Sequence, residues 1–307
     1  MRALVVALDR LAEDLAIERE VLSRYGFDIV DVHDGGPMAA AEAVLVSDTP
    51  VDAALFDRLP RCRAVGTYGV GVDNIDLLAA RTRRISVVHV PDYCTEEVAD
   101  HTLALLLALV RKVTVGDRLV RSGGWGTAAL GSIHRLRGRR LGLVGLGRIG
   151  QAVAIRAAAF GLEVAGVDPV AEAVPGVRRS RSLLDLVRAS DIISLHVPLS
   201  RRTEGIVNRD LLKQFRPGAL LINTARGRLL DLAAVTSALE AERLGGVGLD
   251  VFPREPPELG ALADRDDVVL TPHSAFCSAE ALDQSRRSAA EALVAALLGQ
   301  PHRGRVA

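Results

Sequence analysis

Short, continuous apolar runs alternate along this chain with longer segments whose apolar residues recur every three or four positions. The runs at 3–8 (ALVVAL), 27–32 (FDIVDV), 43–48 (AVLVSD), 63–68 (RAVGTY) and 85–90 (ISVVHV) predict strands. A helical pattern between them, 11–26, ends at Gly26. Apolar strands without polar alternation, separated by helices, predict a parallel sheet covered on both faces. A second series of strands follows at 140–145, 163–168, 191–197, 218–224, 245–251 and 267–272. Between the two series a single long helix is expected over about 95–121. Thr95 and Glu96–Glu97 supply a cap with acids in the first turn, and Gly123–Gly124 end it. Its middle is apolar on nearly every face, as a domain connection or subunit interface requires. A last helix, alanine-rich, is expected over about 278–298. The fold class is therefore α/β, with two parallel-sheet units.

Composition narrows the partners. The 307 residues carry 38 Lys+Arg and 38 Asp+Glu, so no net basic field attracts nucleic acid. The densest apolar run, Thr102–Val110, is too short to span a bilayer, so no membrane partner is expected. The opening MRALVVALDR reads as a first buried strand rather than a signal peptide. Cys62, Cys94 and Cys277 are widely spaced with no C-x-x-C pair, which argues against a disulfide framework and against a metal site. These features together suggest a cytoplasmic protein.

The segment LGLVGLGRIGQAVA (141–154) holds Gly145, Gly147 and Gly150 in the pattern G-x-G-x-x-G. The pattern follows a strand and opens a helix, and the next strand ends at Asp168, 18 residues beyond Gly150. That order of strand, glycine turn, helix, strand and acid is the dinucleotide fingerprint. Gly145 allows the tight turn, Gly147 lets a pyrophosphate approach the backbone, and Gly150 lets helix and strand pack. Arg148 sits at the helix N-terminus, where it can add a charge-assisted bond. Asp168 suits the two ribose hydroxyls of NAD and repels a 2′-phosphate, and Pro169, Val170 and Ala171 offer no arginine to hold one. A second glycine cluster, YGVGVDNID (68–76), lacks the third glycine, but its backbone amides can hold a small carboxylate.

Ligands of open α/β sheets bind beyond the carboxyl ends of the strands. Three polar residues emerge there in the second series: Arg226 after 218–224, Glu255 after 245–251 and His273 after 267–272. Reduction of a 2-oxo acid creates an alkoxide that needs a proton, and histidine is the natural acid at neutral pH. A carboxylate beside it fixes its tautomer, and an arginine fork binds the substrate carboxylate or carbonyl oxygen.

With these residues in place, the chain resembles the D-isomer-specific 2-hydroxyacid dehydrogenases over nearly its whole length. The stretches that carry the resemblance are GVGVDNID, LRGRRLGLVGLGRIGQAVA, HVPLSRRTEGIVN, INTARGRLLD, GLDVFPREPP and TPHSAF. VPDYCTEEVADHTLALLLALVRK and TPHSAFCSAEA look most like the branch that contains the C-terminal-binding protein corepressors.

The resemblance implies two doubly wound domains, Rossmann-like and flavodoxin-like, with the cofactor domain (93–281) inserted into a substrate domain (1–92 plus 282–307) and the active site in the cleft. It implies an NAD-dependent oxidoreductase in which His273 is the acid/base, Glu255 its partner and Arg226 the substrate-binding arginine. Val70 and Gly71 would bind the substrate carboxylate. Gly145, Gly147, Arg148, Ile149, Gly150 and Asp168 would hold the cofactor. Thr95, His196, Pro198, Thr203, Thr224, Ala225 and Asp250 would line its adenosine and nicotinamide sides. Phe276 either lines the substrate pocket or packs at a helix start. Tyr93 and Tyr68 are further pocket candidates, Tyr68 fitting a core position better. The resemblance also implies a homodimer built on the region 98–125, with Trp125 packing there. Two alternatives stay open: an NAD(H)-sensing corepressor-like binding protein, and a pathway-specific reductase of an unusual 2-oxo acid.

Overall fold

The computed structural model describes residues 3–35 and 37–307. The chain forms two compact units, Met1–Cys94 with Cys277–Ala307, and Thr95–Phe276. The second therefore interrupts the first in sequence.

The first unit has strands β1 (Ala3–Ala7), β2 (Phe27–Asp31), β3 (Ala43–Val46), β4 (Ala64–Thr67) and β5 (Ser86–Val88), with helices α1 (Ala16–Ser23), α2 (Ala53–Asp57) and α3 (Leu77–Thr82) between them. These five strands pair in parallel with one another, in the order β2-β1-β3-β4-β5. β3 and β4 are buried at every position, as strands covered on both faces must be. Asp52 and Asp76 start α2 and α3 by accepting N–H bonds from Leu55 and Ala79.

The second unit opens with helices α4 (Thr95–Arg111) and α5 (Val113–Arg121). Strands β6 (Arg140–Val144), β7 (Glu163–Val167), β8 (Arg178–Arg179), β9 (Ile192–Leu195), β10 (Ala219–Asn223), β11 (Leu244–Leu249) and β12 (Val268–Leu270) follow. Between them run α6 (Arg148–Ala159), α7 (Leu183–Ala189), α8 (Arg209–Leu212) and α9 (Leu232–Glu240). The sheet is parallel, in the order β12-β11-β10-β9-β6-β7-β8. Its order reverses between β6 and β9, the switch point where doubly wound sheets hold nucleotides. The last helix, α10 (Ala279–Leu297), starts at Ser278, whose hydroxyl accepts the Ala281 N–H, and belongs to the first unit.

One expectation is corrected. The segment 95–121 is two helices, because Lys112 takes a left-handed conformation with φ 55° and stops α4. The first of them buries Val98, Leu105 and Leu109, and Arg156 of α6 pairs with its Glu96 and Asp100, each at 2.5 Å. Among the described residues, no helix is long and apolar enough to cross a membrane.

Candidate active site

The glycine turn lies at the switch point. Gly145 has φ +99°, and a Cβ there would collide with the carbonyl of His196, the residue after β9. A Cβ on Gly150 would strike the Gly145 carbonyl. In front of Gly147 there is open space, so a side chain at that position would occupy the cradle itself. The three glycines therefore serve a tight turn, an open approach and a close helix–strand contact, in that order. Exposed Arg148 and partly buried Ile149 begin α6.

Asp168 does more than its position suggests. Its Oδ2 accepts the Leu146 N–H at 2.8 Å, and its Oδ1 accepts those of Val170 (2.8 Å) and Ala171 (2.9 Å). Burial opposes ionisation of this carboxyl, but the three amides outweigh it and hold it below the usual aspartate range. The acid thus braces the glycine loop while retaining acceptor capacity for a ribose. Sequence reading missed Arg179, which reaches back from β8 to the carbonyls of Asp168 and Ala171. It lies 11 residues beyond Asp168, outside any local motif.

His196 donates its backbone N–H to Val144 and shares its Nε2 with the Ser194 hydroxyl at 2.9 Å. Burial pushes its pKa down to about 4, so the ring is neutral at pH 7. Pro198 and Thr203 belong to the following loop, closed by the Thr203 hydroxyl donating to the Pro198 carbonyl at 2.6 Å. Thr95 is partly buried at the start of α4. The Thr102 hydroxyl gives its proton to the Val98 carbonyl, so the buried Thr224 hydroxyl donates to Thr102, at 2.8 Å. Ala225 is held by Asn223, whose Oδ1 accepts its N–H.

Arg226, Glu255 and His273 follow three neighbouring strands, β10, β11 and β12. Hydrogen bonding continues beyond the strand ends: Asp250 N–H to Asn223, Thr271 N–H to Leu249 and His273 N–H to Asp250. All three side chains consequently come from one rim of the sheet. Gly227 rests on the Phe252 backbone so closely that no Cβ fits, which ties the arginine loop to the glutamate loop. The Nδ1 of His273 is 2.7 Å from Glu255 Oε2, and Glu255 Oε1 accepts the Phe252 N–H at 2.8 Å. A carboxylate oxygen accepts, so Nδ1 is the donor in this pair and Nε2 lies outside it. Phe276 meets the His273 ring edge to face, with centroids 6.1 Å apart.

Asp250 is completely buried. Its oxygens accept the Thr271 hydroxyl at 2.6 Å and the N–H groups of Ser274 (2.9 Å) and Ala275 (3.0 Å). It props the loop that carries His273, itself in a left-handed conformation with φ 51°. His101 of α4, which the sequence does not single out, adds its Nε2 to Thr271 at 2.9 Å. In the first unit Val70 and Gly71 lie on the turn after β4, Tyr93 is buried, and Tyr68 is a fully buried core residue. Trp125 is 88% exposed on the chain taken alone.

A doubly wound sheet, a glycine cradle at its switch point and an Arg/Glu/His set on one rim define the nucleotide-dependent dehydrogenases. The chain belongs to the D-isomer-specific 2-hydroxyacid dehydrogenase family. Residues 103–275 match the domain described as "D-isomer specific 2-hydroxyacid dehydrogenase, NAD binding domain". NAD is accordingly the cofactor of this fold, and Gly147 and Asp168 fit it.

The chain is 40% identical over 261 residues to a glyoxylate reductase from Korarchaeum cryptofilum, covering 82% of this chain and 78% of that protein. It is 38% identical over 264 residues to D-3-phosphoglycerate dehydrogenase from Mycobacterium tuberculosis, covering 85% of this chain. It spans only 50% of that relative's length. The crystal structure of D-lactate dehydrogenase from Aquifex aeolicus, complexed with NAD and lactic acid, is similar at 30% identity with a TM-score of 0.87, covering 96% of both chains.

Proposed function

We propose that this protein is an NAD-dependent dehydrogenase that interconverts a small 2-oxo acid and its D-2-hydroxy acid. The observation that carries the reading is the His273–Glu255 pair at 2.7 Å on the rim that also bears Arg226. Bound NADH supplies the hydride that C2 of the substrate receives. His273 gives its Nε2 proton to the carbonyl oxygen and recovers one from solvent. Glu255 keeps the ring oriented and balances the positive charge the imidazole carries when protonated. Arg226 takes the substrate carboxylate or the carbonyl oxygen through its planar fork. The amides of Val70 and Gly71 bind the carboxylate, so the first unit is the substrate domain. Phe276, edge-on to His273, lines the side-group pocket, with Tyr93 as a further candidate.

Asp168 favours NADH over NADPH by repelling a 2′-phosphate. The protein acts as a homodimer, a reading supported by the exposed apolar residues Val113, Val120 and Trp125 on and after α5.

The test is NADH oxidation with a panel of 2-oxo acids of increasing side-group size, for the wild type and for Arg226→Ala and His273→Ala. Turnover that both substitutions abolish supports the reading. A silent panel, or full activity in His273→Ala, refutes it.

A further inference from the structure

The turn after β4 is held from one side by the tail of β5. Val90 donates its N–H to the Gly69 carbonyl at 3.2 Å, and Nδ1 of His89 lies 2.7 Å from the Val70 carbonyl. A carbonyl only accepts, so Nδ1 carries the proton and donates. The only cis peptide among the described residues is Glu255–Pro256, so the bonds in this turn are trans. In a trans peptide the C=O and the following N–H share one plane and point opposite ways. Fixing the Gly69 carbonyl therefore fixes the Val70 N–H, and fixing the Val70 carbonyl fixes the Gly71 N–H. Two consecutive residues, His89 and Val90, thus set the aim of two consecutive amides. A bond accepted by the carbonyl also polarises its peptide and makes the opposite N–H a stronger donor.

His89 is itself braced on its other side. Its N–H donates to Gly304 at 2.8 Å, Val306 N–H donates to Val87 at 2.9 Å, and Val87 N–H donates to Ala307 at 3.1 Å. Gly304 approaches so closely that a Cβ would strike the His89 carbonyl. The His302 ring accepts the Gly304 N–H at 3.0 Å. The backbone that carries the imidazole is therefore clamped between β4 and the segment 304–307.

We infer that His89 is a positioning residue for the substrate carboxylate: its Nδ1–H pins the Val70 carbonyl and so presents the Gly71 amide. This rests on the reading that the Val70 and Gly71 amides bind that carboxylate.

Four proteins test it: wild type, His89→Ala, His89→Asn and His89→Gln. Asparagine offers a donor where Nδ1 stands, while glutamine offers one a methylene further out. Loss of the bond should raise KM for the 2-oxo acid about tenfold in His89→Ala and His89→Gln. NADH affinity by fluorescence and the melting temperature should stay near wild type, and His89→Asn should restore KM. An unchanged KM in His89→Ala, an equal rise in His89→Asn, or an equal loss of NADH affinity overturns the inference.

A second measurement does not depend on turnover. In ¹⁵N-glycine-labelled protein, the Gly71 amide resonance, assigned through Gly71→Ala, should move in unliganded His89→Ala and stay in His89→Asn. A resonance unmoved in His89→Ala overturns the inference whatever the substrate. Titration with oxalate then separates the two ideas. A Gly71 resonance that moves in His89→Ala but ignores oxalate in the wild type removes the carboxylate reading, and the substrate-positioning role with it.

Discussion

His273 Nδ1 and Glu255 Oε2 stand 2.7 Å apart, and the second glutamate oxygen is fixed by the Phe252 N–H. The carboxylate thereby chooses the tautomer. Glu255→Gln should keep the fold and lower kcat more than it raises KM. His273→Ala should cost about a hundredfold or more in kcat. Steady-state NADH oxidation at saturating 2-oxo acid measures both.

Gly147 and Gly150 sit three residues apart but should fail differently. Gly147→Ala places a methyl in open space, so the protein should melt normally and bind NADH weakly. Gly150→Ala drives a methyl into the Gly145 carbonyl and should destabilise the second unit by roughly 1–3 kcal/mol. Thermal melting and NADH fluorescence, measured on both variants, separate the two effects.

If Asp168 selects NADH as proposed, cofactor choice should shift when it is replaced. Asp168→Ser removes the repelling carboxylate while Arg179 remains beside the same loop. The ratio of kcat/KM for NADH to that for NADPH should fall by about tenfold or more. Some loss of stability should accompany it, since three amides lose an acceptor. An unchanged ratio removes Asp168 from cofactor selection.

Acid should weaken the second unit through His196. Its folded pKa of about 4 lies below the ordinary value of 6.5. Between those pH values the unfolded chain takes up a proton that the native one refuses, so stability falls as pH drops through that window. The loss is on the order of 1–3 kcal/mol. His196→Gln should lose less melting temperature than wild type between pH 7 and pH 4.5.

Trp125 tests the assembly. If the surface carrying Val113, Val120 and Trp125 is the dimer contact, Trp125→Glu should shift sedimentation toward the monomer. An unshifted dimer places the contact elsewhere.

The strands were legible because each is an apolar run bounded by turn residues, and β3, β9 and β10 are indeed buried throughout. β8 was not, since it is two exposed arginines with no pattern. The break at Lys112 was hidden because lysine is a good helix former and its neighbours in sequence carry no stop signal for its left-handed backbone. Arg226, Glu255 and His273 could be placed at strand ends by sequence alone. That Asp250 supports the His273 loop could not, because its partners lie 21 to 25 residues away and its total burial leaves no local trace.

The contact between Gly227 and Phe252 has a practical corollary for anyone redesigning this protein. Because the arginine loop is seated on the glutamate loop without a side chain between them, a substitution in either loop is felt by the other. On the proposed function, variants that leave both loops intact and change the turn at 69–71 are the ones expected to alter substrate range while keeping the second unit folded. Randomising Gly227 would fill a library with variants whose two loops are forced apart.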